Sequence, residues 1–434
     1  MRRIDKNRKV DGMSNISIRT KRRRRRIRRR RIRCLCICTI VCIGFLALLW
    51  MKRSNTGSST VIKLGNNWWY IENGCINLKY NGLASNENGW WYIKDGKVDF
   101  SHNGIEKNKN GWWYIHNGQV DFSYTGLKKN KNTWWMIENG KVDLNYTGIV
   151  ENENGQWYVK AGKVDFSYNA MCFQDGCLYD IENGKVEHQT KMVAHRGLSS
   201  EAPENTVKSF ELAGQAGFWG CETDIYLTKD NQFIISHDDD FKDTCGVKKK
   251  PGDMTLEEIK KLKIQKGNNY SLYQGDDSAT RIPTLEEYLE VCKQYNMTPF
   301  IEIKEHAYSN SDQSKDVAEL LYQKVKKVME NRQVVFISMD FTKLQQMREV
   351  LDEHNEQNMD LQHIVYTAYT SMIDTYKSLN MNLDSSFTGI PMEDIQTFKA
   401  NGITVGVWII ADKEKAYDFA KAGVDYITTG YKYW

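Results

Sequence analysis

The chain has 434 residues, 41% hydrophobic and 26% charged; that length suggests two or three folded units, and that balance excludes a multi-spanning membrane protein. Its 31 Gly and 5 Pro exclude a collagen-like or proline-rich disordered chain. The formal net charge of +5 hides a segregation: residues 1–33 hold 17 Lys and Arg against Asp5 and Asp11, whereas residues 54–434 hold 41 basic and 53 acidic residues.

The basic tail, residues 1–33, ends in a nearly pure arginine block. Residues 34–51 follow with no charge and are apolar almost throughout. At 1.5 Å per residue such a helix is about 27 Å long, close to a bilayer core of about 30 Å. The Lys/Arg excess places residues 1–33 in the cytoplasm and everything beyond Arg53 outside. No clear small-x-small cleavage site follows, so the expectation is an uncleaved transmembrane signal anchor: a single-pass cell-membrane protein whose C-terminal part is extracellular. The arginines fit a topology determinant that also attracts anionic lipid, and with the rest of the chain acidic no nucleic-acid partner is expected. Ten cysteines contain no CxxC pair, so no zinc or thioredoxin-type site is expected. Cys172 and Cys177 flank a plausible turn and are candidates for a disulfide.

A linker, residues 52–62, leads into a repeat. Trp69, Trp91, Trp113, Trp135 and Trp157 stand 22 residues apart, and another Trp precedes each of the first four. Each unit reads as two short runs of strand-favouring residues. Asp95-Gly96, Asn117-Gly118 and Asn139-Gly140 lie between the runs and tolerate the positive φ of tight turns. One hairpin cannot bury its aromatics, so a fixed period predicts a hairpin solenoid over 63–188, its core made by stacked Trp. These units resemble the aromatic, glycine-rich cell-wall-binding repeats of Gram-positive surface proteins, including the choline-binding type. The resemblance implies a non-catalytic module that holds the protein to a cell-wall polymer; a spacer through the wall is the other reading. The choline-binding type forms aromatic cages for quaternary ammonium groups, and departures in spacing leave cage residues unassigned here.

From residue 189 the texture changes. Strands are predicted at 192–195, 220–226, 299–304, 334–338, 364–367, 382–385, 403–408 and 425–428, with amphipathic helical segments between them. Eight strands with intervening helices over about 245 residues is the arithmetic of a (β/α)₈ TIM-type barrel, residues 189–434. The segment 233–236 is expected to pair with the second strand as a hairpin.

Barrel chemistry gathers at strand C-termini. His195-Arg196 ends the first strand, Glu222 and Asp224 share a face of the second, Glu302-x-Lys304 ends the third, and His237 follows the hairpin. Three carboxylates at one mouth need a cation, and hard oxygen donors favour Ca²⁺ or Mg²⁺. Two histidines suit acid and base work near neutral pH, while Arg196 and Lys304 suit an anion such as phosphate. His306 is a further candidate for the same mouth.

Val193-Ala-His-Arg-Gly197, Ala202-Pro-Glu-Asn-Thr206, Glu222-Thr-Asp224, Leu227-Thr-Lys-Asp230, His237-Asp238, Ile282-Pro-Thr-Leu-Glu286, Glu302-Ile-Lys304 and Val407-Trp408 occur in an order that resembles the glycerophosphodiester phosphodiesterase family. The resemblance implies a metal-dependent barrel hydrolase that splits a glycerophosphodiester into an alcohol and glycerol 3-phosphate. Carried over by motif, His195 and His237 become the acid/base pair, and Glu222, Asp224 and Glu302 the ligands of a divalent cation. Arg196 and Lys304 become phosphate ligands, Trp408 a wall of the substrate pocket, and Glu204 and Asn205 supports behind them. After His237 and after Trp408, at Ile409-Ile-Ala411, the sequence departs from the family pattern, which bears on substrate shape. The rival readings are a lysophospholipase D or sphingomyelinase D-like phospholipase, and a non-catalytic wall-binding surface protein.

Overall fold

The computed structural model describes residues 59–304, 307 and 314–434. The expected tail and membrane span, residues 1–33 and 34–51, and His306 lie outside the described residues. Among the described residues no helix is long and apolar enough to cross a membrane.

In residues 59–145 each repeat is built from its turn. Asp95, Asn117 and Asn139 take φ of 49°, 50° and 49°, and the following glycines 76°, 76° and 77°. Paired positive φ values make the tight turn that matches strand twist. A Cβ on Gly118 would meet the Asp99 carbonyl oxygen at 2.4 Å, so the chain lying against the turn also demands glycine there. A complete unit has three short strands, for example Gly82–Asn86, Gly89–Lys94 and Lys97–Val98. The third reaches back to the preceding unit: Lys97 pairs with Trp69, Gln119 with Trp91 and Lys141 with Trp113. A unit therefore completes its sheet only with a neighbour, as a solenoid requires.

The core of this solenoid is aliphatic, not indole. Ile93, Ile115 and Ile137 are wholly buried, and Val61, Leu83, Ile105 and Leu127 nearly so. The tryptophans, apart from Trp91, are half-buried along the sides and stack between units, Trp68 on Trp91 at 5.5 Å and Trp112 on Trp135 at 6.3 Å. The indole N–H explains the placement. A buried N–H needs an acceptor, and Trp91 and Trp113 find theirs at Asn86 and Asn108, 2.9 and 3.0 Å away. β-Branched and leucine side chains carry no such demand and fill the interior.

Residues 146–434 form the second unit. It begins with one more repeat, Gly148–Asn152, Gly155–Lys160 and Lys163–Val164, followed by the hairpin Ala170–Gln174 and Cys177–Glu182. In that hairpin Cys177 faces Gln174 and Cys172 faces Tyr179. Both thiols are free; the turn sets Cys172 too far along its strand for the expected disulfide.

The next strand, Lys185–Ala194, joins repeat to barrel. Its first part pairs antiparallel with Cys177–Glu182, and its end pairs parallel with Gly220–Leu227 and Tyr426–Thr429. It runs without a break through residues 188 and 189. The other barrel strands are Thr298–Ile303, Val334–Ser338, Met359–Val365, Asn382–Ser386 and Val405–Trp408, each parallel to its predecessor, and the eighth closes on the first. The expected hairpin partner is present as Phe233–Ile235. Helices cover the outside; Leu285–Tyr295, for instance, starts at a capping box in which Thr284 and Glu287 satisfy each other's backbone N–H groups. Inside the ring, Val193, Phe300, Val335, Ile337, Ile364 and Tyr426 form an apolar plug. The barrel is thus filled, and polar side chains collect above the plug at the strands' C-terminal ends.

Candidate active site in the barrel mouth

The backbone at the first strand end sets the site. The His195 N–H donates to the Thr429 carbonyl at 2.8 Å, which ties the strand to its neighbour. Arg196 then takes φ of 55° and turns the chain so that its own N–H donates to Glu222 Oε2 at 2.9 Å. Its side chain lies across the acids, Nε 3.3 Å from Asp224 Oδ2 and Nη1 2.7 Å from Glu204 Oε1. Glu222 and Asp224, two apart on one strand, point the same way, and Asp224 stands in register with Glu302 on the next strand. The three carboxylates each offer an oxygen within 4.8 Å of the others. Lys304 Nζ is 2.9 Å from Glu302 Oε1 and 3.3 Å from Asp224 Oδ1. His195 Nε2 is 3.9 Å from Glu222 Oε2, and His237 Nδ1 is 2.8 Å from Asp238 Oδ1.

Asn205 supports this arrangement from behind. Its Nδ2 donates to Asp224 Oδ2 at 2.8 Å, its Oδ1 accepts from the Thr223 hydroxyl at 2.8 Å, and its φ is 56°. Asn268, which sequence reasoning missed, holds the same loop: its Oδ1 accepts from the Glu204 N–H at 3.1 Å, and its Nδ2 donates to the carbonyls of Ala202 and Ser199. No motif signals Asn268, because it works on backbone from 64 residues away.

Three carboxylates face two permanent cations here. Burial, reinforced by Asp224, pushes the Glu222 carboxyl well up. The same two causes lift Glu302 to about 7. Burial also opposes ionisation of Asp224, but Arg196 and Lys304 outweigh it and hold that carboxyl at about 2. Burial, with Arg196 adding to it, drives His195 down to about 3, so its ring is neutral. Glu222 Oε1 is buried without a hydrogen bond, and Asp224 Oδ1 makes none beyond its ion pair with Lys304. An unpaired buried oxygen in a crowded all-carboxylate set fits a hard divalent cation such as Ca²⁺ or Mg²⁺.

The mouth encloses a cavity of about 150 Å³ with two unlike halves. His195, Arg196, Glu222, His237, Glu302 and Lys304 make the charged half. Ile337, Met339, Ile364, Tyr366, Trp408 and Ile409 make an apolar half, joined by Asp384 and Thr428. Trp408 packs on the plug below and also lines the cavity, its Nε1 donating to the Asp384 carbonyl at 3.2 Å. The ten residues expected from sequence thus lie in or directly behind one mouth. Asp384 was missed: its strand, Asn382–Ser386, is polar at four of five positions, so an acid there does not stand out.

Both the barrel and the repeats match known protein families. Residues 195–431 match the glycerophosphoryl diester phosphodiesterase family. Residues 59–77, 79–99, 101–121, 123–143 and 145–165 match the choline-binding repeat. A glycerophosphodiester phosphodiesterase of Caldanaerobacter subterraneus subsp. tengcongensis is 29% identical over 244 residues, 56% of this chain and 94% of that protein. One from Bacillus altitudinis is 37% identical over 120 residues, 27% of this chain and 47% of that protein. Among solved structures, an Oleispira antarctica phosphodiesterase in complex with the product sn-glycerol-3-phosphate is 24% identical, with a TM-score of 0.49 over 56% of this chain and 93% of that one. The chain belongs to the glycerophosphoryl diester phosphodiesterase family.

Proposed function

We propose that this protein hydrolyses glycerophosphodiesters to an alcohol and glycerol 3-phosphate at the outer cell surface, using a histidine pair and a divalent cation. The observation that carries the reading is the convergence of two histidines, three carboxylates, an arginine and a lysine on one cavity. A divalent cation held by Glu222, Asp224 and Glu302 would supply Lewis-acid polarisation of the phosphoryl oxygens. His195, buried and uncharged, has a ring nitrogen that takes the proton of the nucleophile. That nucleophile is either water or the neighbouring glycerol hydroxyl, the latter giving a cyclic phosphate that water then opens to glycerol 3-phosphate. His237, oriented through Nδ1 by Asp238, leaves Nε2 for the leaving oxygen. Arg196 and Lys304 place positive charge where phosphate charge develops, and Glu204 and Asn205 keep Arg196 and Asp224 in place. Trp408 walls the pocket.

The outer-surface location rests on the arginine block before the apolar run at 34–51, read as a single-pass signal anchor in the cell membrane. The repeats are read as a module that engages a cell-wall polymer. The test is release of glycerol 3-phosphate by the purified full chain, with and without chelator, beside His195→Ala. Chelator-sensitive release that the variant loses is expected. Release that survives chelation, or an unimpaired His195→Ala protein, would refute the metal or the histidine role respectively.

A further inference from the structure

The repeats carry a charge pattern that their fold does not need. Corresponding hairpin segments lie at residues 82–91, 104–113, 126–135 and 148–157. Glu87 gives the first a net charge of −1. Lys107 and Lys109 against Glu106 give the second +1, and Lys128, Lys129 and Lys131 give the third +3. Glu151 and Glu153 give the fourth −2. Lys109 and Lys131 stand at the turn position that holds Glu87 and Glu153 in the other two, so the repeat accepts either sign there. The two basic hairpins lie side by side: Asn130 Nδ2 donates to the Ile105 carbonyl at 3.2 Å. Lys107, Lys109, Lys129 and Lys131 are exposed. Among the described residues none of these lysines, nor Lys128, pairs with a carboxylate; Glu106 is taken by His102 at 3.0 Å. Like charges gathered this way repel one another and attract a negative partner.

The aromatic rings narrow the choice of partner. Lys107 Nζ lies over Trp112 at 5.5 Å, and that ring also stacks on Trp135 at 6.3 Å. Lys141 Nζ lies over Trp113 at 5.6 Å, with Trp90 and Phe122 packed against the same ring at 5.2 and 5.6 Å. Lys128 Nζ covers Tyr124 at 4.8 Å and Tyr114 at 5.5 Å. The protein's own ammonium groups thus hold the places where ring quadrupoles attract a cation. A quaternary ammonium would meet like charge there, and a nucleic-acid base would find no open ring to stack on. Exposed lysines hold a lone anion weakly, each screened contact being worth about 1 kcal/mol or less. Several together grip a chain whose charges recur, because the contacts act jointly and release its counter-ions. The diesterase reading of the barrel points to phosphodiester as that charge.

We propose that the hairpins 104–113 and 126–135 form a docking surface for a flexible polyanion, a chain of phosphodiester-linked polyol, gripped by Lys107, Lys109, Lys128, Lys129 and Lys131. The proposal rests on the reading of the repeats as a module for a cell-wall polymer and specifies that polymer's chemistry. It departs from the choline-binding type, in that charge and not an aromatic cage does the holding.

The basic tail at residues 1–33 would also bind a polyanion, so the readout must be local. Hydrogen exchange is followed on peptides of the purified full chain as poly(glycerol phosphate) is added, with chelator present to block hydrolysis. Protection is expected in hairpins 104–113 and 126–135 and not in 82–91 or 148–157. The apparent affinity at these peptides is expected to fall about a hundredfold between about 50 and 200 mM sodium chloride. Choline chloride of equal concentration should weaken it no more than sodium chloride does. Lys109→Glu with Lys129→Glu should remove the protection, and Glu87→Lys should extend it to hairpin 82–91. Equal or absent protection across the four hairpins overturns the surface. So do preferential release by choline chloride and a folded double variant protected as before. Tighter binding of single-stranded DNA of equal charge overturns the choice of polymer. If the double variant does not fold, Glu87→Lys decides: spread of protection supports the surface and none overturns it. Retention of the chain on wall material stripped of phosphate polymers, with no protection here, would overturn the surface while the wall-module reading stands.

Discussion

Replacing Asn205 by alanine is expected to destabilise the barrel by about 4 kcal/mol. Three contributions add. The hydrogen bond to the charged Asp224 is lost, worth about 1.5–3 kcal/mol. The Thr223 hydroxyl, wholly buried, loses its acceptor, at about 1 kcal/mol. Alanine must also hold the left-handed conformation that Asn205 occupies at φ 56°, at about 1 kcal/mol. Asn205→Gly separates these effects, because glycine adopts that φ freely; it is expected to lose about 3 kcal/mol from the two hydrogen bonds alone. The assay is urea unfolding read by hydrogen exchange on peptides of the strand Gly220–Leu227, which reports the barrel and not the repeats. The reasoning is refuted if the glycine variant is as stable as the parent, or if alanine and glycine are equally stable.

Other outcomes follow from the same structure. Asp384 has its folded pKa raised to about 8 from an ordinary 3.8, so the folded state binds a proton that the unfolded state releases. Stability without ligand should therefore fall as pH rises from about 4 to 8 and level off above, and Asp384→Asn should gain roughly 3–5 kcal/mol at pH 8 by urea titration. A flat difference between pH 5 and 8 would contradict this. In the repeats, Gly118→Ala is expected to cost about 3 kcal/mol or more, because its Cβ meets backbone. Gly65→Ala, with φ of 64° and nothing within 4 Å, should cost about 1 kcal/mol; equal thermal shifts for the two would refute the steric argument. A chain begun at residue 189 should express as insoluble protein, whereas one begun at 146 should be soluble and show the barrel's hydrogen-exchange protection.

The barrel and its charged half were legible because each depends on a local pattern. Short apolar runs at regular spacing marked the strands, and Glu222-x-Asp224 and Glu302-x-Lys304 carried their own strand periodicity. The hairpin turns were legible at Asp95-Gly96 for the same reason: a backbone conformation demands particular residues. What stayed hidden depends on contacts distant in sequence. Asn268 reaches the Glu204 loop across 64 residues. The interior place of Ile93 beside the half-buried Trp90 reflects that an isoleucine has no N–H to satisfy; Trp91 is buried only with its own N–H donating to Asn86. At Ala161 the turn takes φ of 49° with neither Asn nor Asp, so local composition alone understates the repeat. The strand Lys185–Ala194 crosses a change in sequence texture that reads as a boundary, because texture follows the partners on either side and not the chain itself.

That shared strand has a mechanical consequence. A pull on the last repeats would enter the barrel along the backbone of Lys185–Ala194, loading in shear the hydrogen bonds that Lys191–Ala194 makes with Tyr426–Thr429. Bonds sheared together resist far more force than bonds unzipped one by one. The loaded segment ends at His195, whose N–H is itself tied to Thr429. Tension on the last repeats and the position of His195 are therefore mechanically linked.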